Sequence, residues 1–313
     1  MKQIKISSTL LLVSLLLLVT GWTPAQEIPE RGIFFSTEED FITGVTPEDG
    51  NPIISDGDLL NSRGFVYMRN YHLVSRFDIK DDLGLDAVDV IIEERRLVAF
   101  STELDHPRGV FTAGDLLATN GAIIPNAALL AGFDIPRNLD LGLDAVQFIG
   151  KTEAIVRFLD MVKEKGPDFL REKPEALREY LKELGIDIWF STEGTGPWPK
   201  EPRFLDGDLL SAASGIIVAR NSLLLPNIVP AGILDRGVDF GLDAVMMAER
   251  ITERKLIRFS TEILYRKGRA GFTDGDVLRM GNGVVINHYD LIKGFEVKAK
   301  FLGLDALSYP VEH

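Results

Sequence analysis

The 313-residue sequence contains no cysteine. That excludes disulfides, thiolate catalysis, cysteine-based zinc sites and iron–sulfur clusters. Histidine is scarce: His72, His106, His288 and His313 are the whole set. None of them has metal-ligand spacing, and each reads as a surface residue. There is no Gly-x-Ser-x-Gly elbow and no P-loop. Gly281-Asn282-Gly283 lacks the third glycine of a dinucleotide loop and reads as a turn. No Asp-x-Asp-x-Asp-Gly run is present, so an EF-hand loop is excluded. Positive charge is also short, with 34 Lys and Arg against 47 Asp and Glu and a net charge of −13. Such a chain repels phosphate backbones, which argues against nucleic acid and anionic membranes, and it is compatible with cations as ligands.

Long hydrophobic runs are missing with one exception, at the N-terminus. Lys2 and Lys5 precede an apolar run from Leu10 to Val19, followed by Gly21, Trp22, Thr23, Pro24 and Ala25. This order predicts a secretory signal peptide over residues 1–25, cleaved after Ala25. The run is too short to span a bilayer comfortably. Val19-Thr20-Gly21 resembles the start of a lipoprotein signal, but Trp22 stands where the lipidated cysteine would be. The expectation is an exported protein, periplasmic or extracellular, with no membrane span after cleavage. A hydrophobic share of 45% with 26% charged residues is a globular balance.

Three short motifs recur in fixed order. Phe-Ser-Thr-Glu occupies Phe35–Glu38, Phe100–Glu103, Phe190–Glu193 and Phe259–Glu262. Gly-Asp occurs at Gly57-Asp58, Gly114-Asp115, Gly207-Asp208 and Gly275-Asp276. Gly-Leu-Asp-Ala occupies Gly84–Ala87, Gly142–Ala145, Gly241–Ala244 and Gly303–Ala306. A weaker marker lies between the last two, at Asn70, Asn126, Asn221 and Asn287. The Asp of the second motif and that of the third are 28, 29, 35 and 29 residues apart. Four diverged copies of one unit are therefore predicted, over about 31–92, 96–150, 186–249 and 255–309, within one domain of residues 26–313.

Leu97–Phe100, Ile186–Phe190 and Leu256–Phe259 are short apolar runs that read as strands. Thr119-Asn120-Gly121 separates two more, Asp115–Leu117 and Ala122–Ile124, as a hairpin turn would. Ala87–Ile92 and Ala244–Ala248 are strand-like and lead through charged turns into the next Phe-Ser-Thr-Glu. Each unit then offers about four short strands. The predicted class is all-β, a four-repeat β-propeller-like ring. The chain begins near one Phe-Ser-Thr-Glu strand and stops just after one Gly-Leu-Asp-Ala strand. Pairing those two would close the ring and leave no edge. The motif set resembles that of bacterial exported β-propeller-like repeat proteins, over about Arg31 to Tyr309. The resemblance implies a propeller-like fold and no activity.

One connection breaks the pattern. From the Asp of Gly-Leu-Asp-Ala to the next Phe takes 14 residues after unit one, 16 after unit three and 46 after unit two. The excess, residues 151–185, predicts two amphipathic helices. Ile155, Phe158, Leu159 and Val162 share one face, and Leu177, Leu181 and Leu184 form the next stripe. Either a cap packed on the ring or a lid or partner-binding element fits.

The recurring acids are the candidate chemistry: Glu38, Asp58, Asp86, Glu103, Asp115, Asp144, Glu193, Asp208, Asp243, Glu262, Asp276 and Asp305. Brought together, they offer oxygen ligands to a hard cation such as Ca²⁺. Alternatively they accept backbone N–H bonds at turns. Gathered without a cation, they would raise one another's pKa values and destabilise the fold. Trp198, in the stiff stretch Gly196–Pro199, is either a packing residue buried under its own loop or a candidate stacking residue for a carbohydrate or protein ligand. The functional expectation is a non-enzymatic binding or scaffold module, stabilised by Ca²⁺. The alternative is a secreted carboxylate-based hydrolase on the same scaffold, favoured by an acid unique to one unit in a deep pocket.

Overall fold

The computed structural model describes residues 28–197, 202–233, 235–247, 249–268, 270–299 and 301–309. The expected signal peptide, 1–25, lies outside the described residues. The chain is mostly β, in several small antiparallel sheets with few helices. Unit one supplies β1 (Phe34–Phe35), a short hairpin of β2 (Phe41–Ile42) and β3 (Ile53–Ile54), then β4 (Leu59–Asn61) and β5 (Phe65–Met68). Next come β6 (Val88–Ile92), β7 (Leu97–Phe100), β8 (Leu116–Ala118) and β9 (Ile123–Ile124). The following group is β10 (Val146–Ile149), β11 (Asp187–Phe190), β12 (Leu209–Ser211) and β13 (Ile216–Ala219). The last is β14 (Val245–Met246), β15 (Arg258–Phe259), a hairpin of β16 (Tyr265–Lys267) and β17 (Ala270–Phe272), β18 (Val277–Arg279), β19 (Gly283–Ile286) and β20 (Leu307–Ser308).

Four sheets of four strands result, ordered β20-β1-β4-β5, β6-β7-β8-β9, β10-β11-β12-β13 and β14-β15-β18-β19, here sheets one to four. They are offset from the sequence units. Each sheet begins with the strand after Gly-Leu-Asp-Ala of one unit and continues with the Phe-Ser-Thr-Glu strand of the next. Sheet one takes its first strand from the far end of the chain, pairing Phe34 with Ser308 and Phe35 with Leu307. The pairing of chain ends expected from the motif order is thus present, and β1 is covered on both sides.

The strands are apolar at nearly every position, because both faces of each sheet are buried. Phe34, Val98 and Phe100 enter a cluster between sheets one and two, with Leu117 and Val90. Leu97, Ala99, Phe148, Ile188 and Phe190 enter one between sheets two and three. Trp189, Leu209, Val245 and Phe259 fill the space between sheets three and four. Phe35, Leu60, Met246, Val277 and Leu307 fill that between sheets four and one. The first strands of the sheets touch in the same order: β6 meets β10, β10 meets β14, β14 meets β20, and β20 meets β6.

The insertion holds three helices rather than two, Thr152–Lys165, Pro167–Glu172 and Ala176–Leu184. Gly166 (φ 75°) ends the first, and Pro167 starts a second instead of only stopping the chain, because proline is pre-set for a first helical turn. Ile155, Phe158, Leu159, Leu177 and Leu181 are buried in the cluster between sheets two and three. The segment is packed as a cap there.

Candidate functional site

Each residue of Phe-Ser-Thr-Glu has a separate task. The Phe side chains are fully buried in the inter-sheet clusters. The serines reach the neighbouring sheet: Ser36 Oγ donates to the Leu85 carbonyl (3.0 Å), Ser101 to Leu143 (2.7 Å) and Ser191 to Leu242 (2.6 Å). Ser260 Oγ, the fourth, has no partner among the described residues. Each threonine donates two residues ahead, Thr37 to Glu39, Thr102 to Leu104, Thr192 to Gly194 and Thr261 to Ile263. That local bond turns the chain at the strand end. The turn brings each Glu over the Gly of Gly-Leu-Asp-Ala in its own sheet. A Cβ on Gly84 would lie 2.5 Å from the Glu103 carboxyl carbon, one on Gly142 2.5 Å from that of Glu193, and one on Gly241 2.3 Å from that of Glu262. Gly303 stands in the same relation to Glu38, at 2.0 Å. Glycine is required at these places because the carboxylate occupies the space a side chain would need.

Eight of the twelve recurring acids therefore converge. Asp86, Asp144 and Asp243 are buried and Asp305 is half-buried, while Glu38, Glu103, Glu193 and Glu262 are exposed. The aspartates form a floor and the glutamates a mouth. Oδ2 of all four aspartates accepts no hydrogen bond among the described residues. One oxygen each of Glu38, Asp243 and Asp305 lie within 4.8 Å of one another. Burial pushes Asp86, Asp144, Asp243 and Asp305 well above the usual carboxylate range, and the neighbouring carboxylates push in the same direction. Glu38 and Glu103, exposed as residues but with their carboxyl groups partly desolvated, are raised to about 7, first by that desolvation and then by surrounding acids. Glu193 and Glu262 are raised for the same reasons. At Glu262 a side-chain hydrogen bond with Asp144 partly offsets the rise. A second set of acids stands near: Asp56 and Asp274 are raised chiefly by burial, and the charge of Asp206 helps to raise Glu262.

The four Gly-Asp aspartates are not in this cluster. Asp58 Oδ1 accepts the Asn70 N–H (2.9 Å) and Oδ2 the Ser55 N–H (3.2 Å). Asp115 binds the N–H groups of Asn126 and Thr112, Asp208 those of Asn221 and Leu205, and Asp276 those of His288 and Thr273. Arg69 also contacts Asp58, at 2.6 Å. For these four the hydrogen bonds support the alternative of turn acids, since a backbone N–H bonds each oxygen. The asparagine marker is corrected in its fourth copy. Asn70, Asn126 and Asn221 each bond the Gly carbonyl before the turn acid. In the fourth unit His288 takes that place rather than Asn287, packing against Gly275 and accepting the Leu302 N–H on Nε2 (3.1 Å). His288 and His106 are both buried, not on the surface. Imidazole at 288 fills an amide's role, and His106 joins the Phe77 carbonyl (3.0 Å) to the Arg108 N–H (2.9 Å).

Further along the same first strands lies a network that sequence reasoning missed. Three residues beyond the floor aspartates come Asp89, Gln147, Met246 and Ser308. Arg250 clamps Asp89 with both amino groups, Nη2 to Oδ1 at 2.7 Å, and also donates to the carbonyls of Val90 (3.0 Å) and Phe148 (2.9 Å). Asp89 Oδ2 accepts from Phe148 N–H and from Gln147, whose own oxygen accepts the Met247 N–H. Ser308 Oγ accepts the Val90 N–H at 2.9 Å. All four sheets are tied by this network. The only signal was the equivalent position of 89, 147 and 308 in their units, and its differing residues hid it.

Trp198 lies outside the described residues. Among the described residues, no helix is long and apolar enough to cross a membrane. Compared with known proteins, the chain matches no family model, no curated protein and no solved structure.

Proposed function

We propose that the protein is an exported, non-enzymatic binding module of four-bladed β-propeller type, whose acid-lined mouth receives a cationic ligand. The observation that carries this reading is the convergence of equivalent acids from all four units on one place, with the charges acting on them supplied by other carboxylates. The blade reading is supported by the order in which the first strands meet and by the pairing of the chain ends. Export is supported by the order of charge, apolar run and small residues at the N-terminus. The hydrolase alternative calls for an acid unique to one unit. The acids gathered here are instead repeated in every unit, and such symmetry suits binding better than an asymmetric reaction.

The test is a thermal melt of the chelator-treated protein with Ca²⁺, spermine or hexalysine added at low ionic strength. At least one of these is expected to raise Tm by roughly 5 °C, saturably. The combined variant Glu38→Gln, Glu103→Gln, Glu193→Gln, Glu262→Gln should remove most of that gain. No stabilisation by any of the three cations would overturn the proposal.

A further inference from the structure

Within the mouth, one group is set apart by distance. Glu38 and Asp305 belong to the paired strand ends of sheet one, and Asp243 to sheet four. Their three oxygens lie within 4.8 Å of one another. Oxygens that share a hard divalent ion sit about 2.1–2.5 Å from it, so a separation within 4.8 Å lets one such ion bridge them. A magnesium ion, at about 2.1 Å, gathers its ligands more tightly and demands near-octahedral geometry.

Proximity of acids alone does not make a site, because exposed carboxylates cluster on many surfaces. Here a second observation points to a ligand. Asp243 is 6% exposed, and its Oδ2 has no donor among the described residues. The same holds for Asp86 and Asp144, at 8% and 4%, beside it in the floor. A buried carboxylate oxygen without a donor costs about 1–3 kcal/mol or more, so buried polar atoms are almost always satisfied. This chain satisfies its other recurring acids in full: each Gly-Asp carboxylate receives two backbone N–H bonds. The floor oxygens are open where the turn oxygens are filled. Their neighbours are acceptors too, so what completes them must be positive: a proton on each carboxyl, or one cation that gathers oxygens on several sides.

We infer that Glu38, Asp243 and Asp305 bind a hard divalent cation of calcium size, with Asp86 and Asp144 supplying further negative charge from the floor. This assignment rests on the reading of the mouth as a cation-receiving face, and names its ligand. Glu38 is exposed, so the ion can enter from solvent and keep water on its open side. Ca²⁺ tolerates such irregular, part-hydrated coordination, which Mg²⁺ does not.

The experiment is calorimetric titration of the chelator-treated full chain with Ca²⁺, Mg²⁺ and spermine separately. Saturable Ca²⁺ binding is expected, at least tenfold tighter than Mg²⁺. Glu38→Gln and Asp243→Asn should each weaken Ca²⁺ at least tenfold. Glu193→Gln, at the equivalent mouth position outside the trio, should weaken it less than threefold. Glu38 is exposed, so its carboxamide variant keeps the test valid if Asp243→Asn fails to fold. Ca²⁺ affinity unchanged in Glu38→Gln would overturn the assignment. So would spermine binding without Ca²⁺ binding, which would leave the cationic-ligand reading standing. Binding of neither would remove both.

Discussion

The Asp89–Arg250 pair is where a single side chain has most leverage on stability. Its side chains are 2% and 5% exposed, and their bonds reach backbone in sheets two and three. Removing one member leaves the other charge buried and unpaired, which costs about 3–5 kcal/mol. Arg250→Met should therefore lose about that much in urea unfolding, while Asp89→Leu with Arg250→Met should recover a good part of it. A single variant within about 1 kcal/mol of wild type would show that the network does not bind the sheets together. Glycine at 84 makes a second, smaller demand. Its φ is 73°, and the Glu103 carboxyl lies where a Cβ would be. Gly84→Ala should cost about 1–2 kcal/mol from the left-handed backbone, and should also displace Glu103 from the mouth.

At the scale of elements, the insertion separates two roles that its sequence left open. Phe158, Leu177 and Leu181 are fully buried in the same cluster as Phe148 and Ile188. A lid must release such contacts to open, whereas a cap keeps them. Phe158→Ala should cost about 3–5 kcal/mol. In hydrogen exchange, the amides of Ile155 to Val162 should be protected as strongly as those of β7 and β11. Fast exchange there in an otherwise protected molecule would revive the lid. The strands themselves were legible, because motif order fixed both their sequence and the pairing of β1 with β20. Their ends were less so: Ala244–Ala248 reads as a strand, and among its described residues Val245–Met246 is paired. The acids divided for a reason no spacing reveals. Asp58 and Asp86 look alike in sequence, yet Asp58 closes a turn and takes the N–H groups of Ser55 and Asn70, while Asp86 enters the core of the mouth. His288 was hidden because a different residue type performs the asparagine's task.

At the scale of the whole molecule, the gathered acids make stability depend on pH in an unusual direction. Most proteins lose stability in mild acid, because native carboxylates are paired and must be protonated. Here the folded-state values are raised, with Glu38 and Glu103 at about 7 and the four floor aspartates pushed up by burial. Between about 4.5, the unfolded value of a glutamate, and about 7, the folded state holds more protons than the unfolded state. Stability must then fall as pH rises through that window. His288 opposes this, since burial lowers its pKa and charging it in acid is unfavourable. It is one group against eight. In chelator, Tm should accordingly be several degrees higher at pH 5 than at pH 8. The fourfold Glu→Gln variant should flatten the dependence. Saturating Ca²⁺ should raise Tm at pH 8 far more than at pH 5, because cation and proton compete for the same oxygens. A Tm that falls from pH 8 to pH 5 in chelator would mean that the eight carboxylates carry no net strain at neutral pH, and the physical ground for a cation in the mouth would be gone.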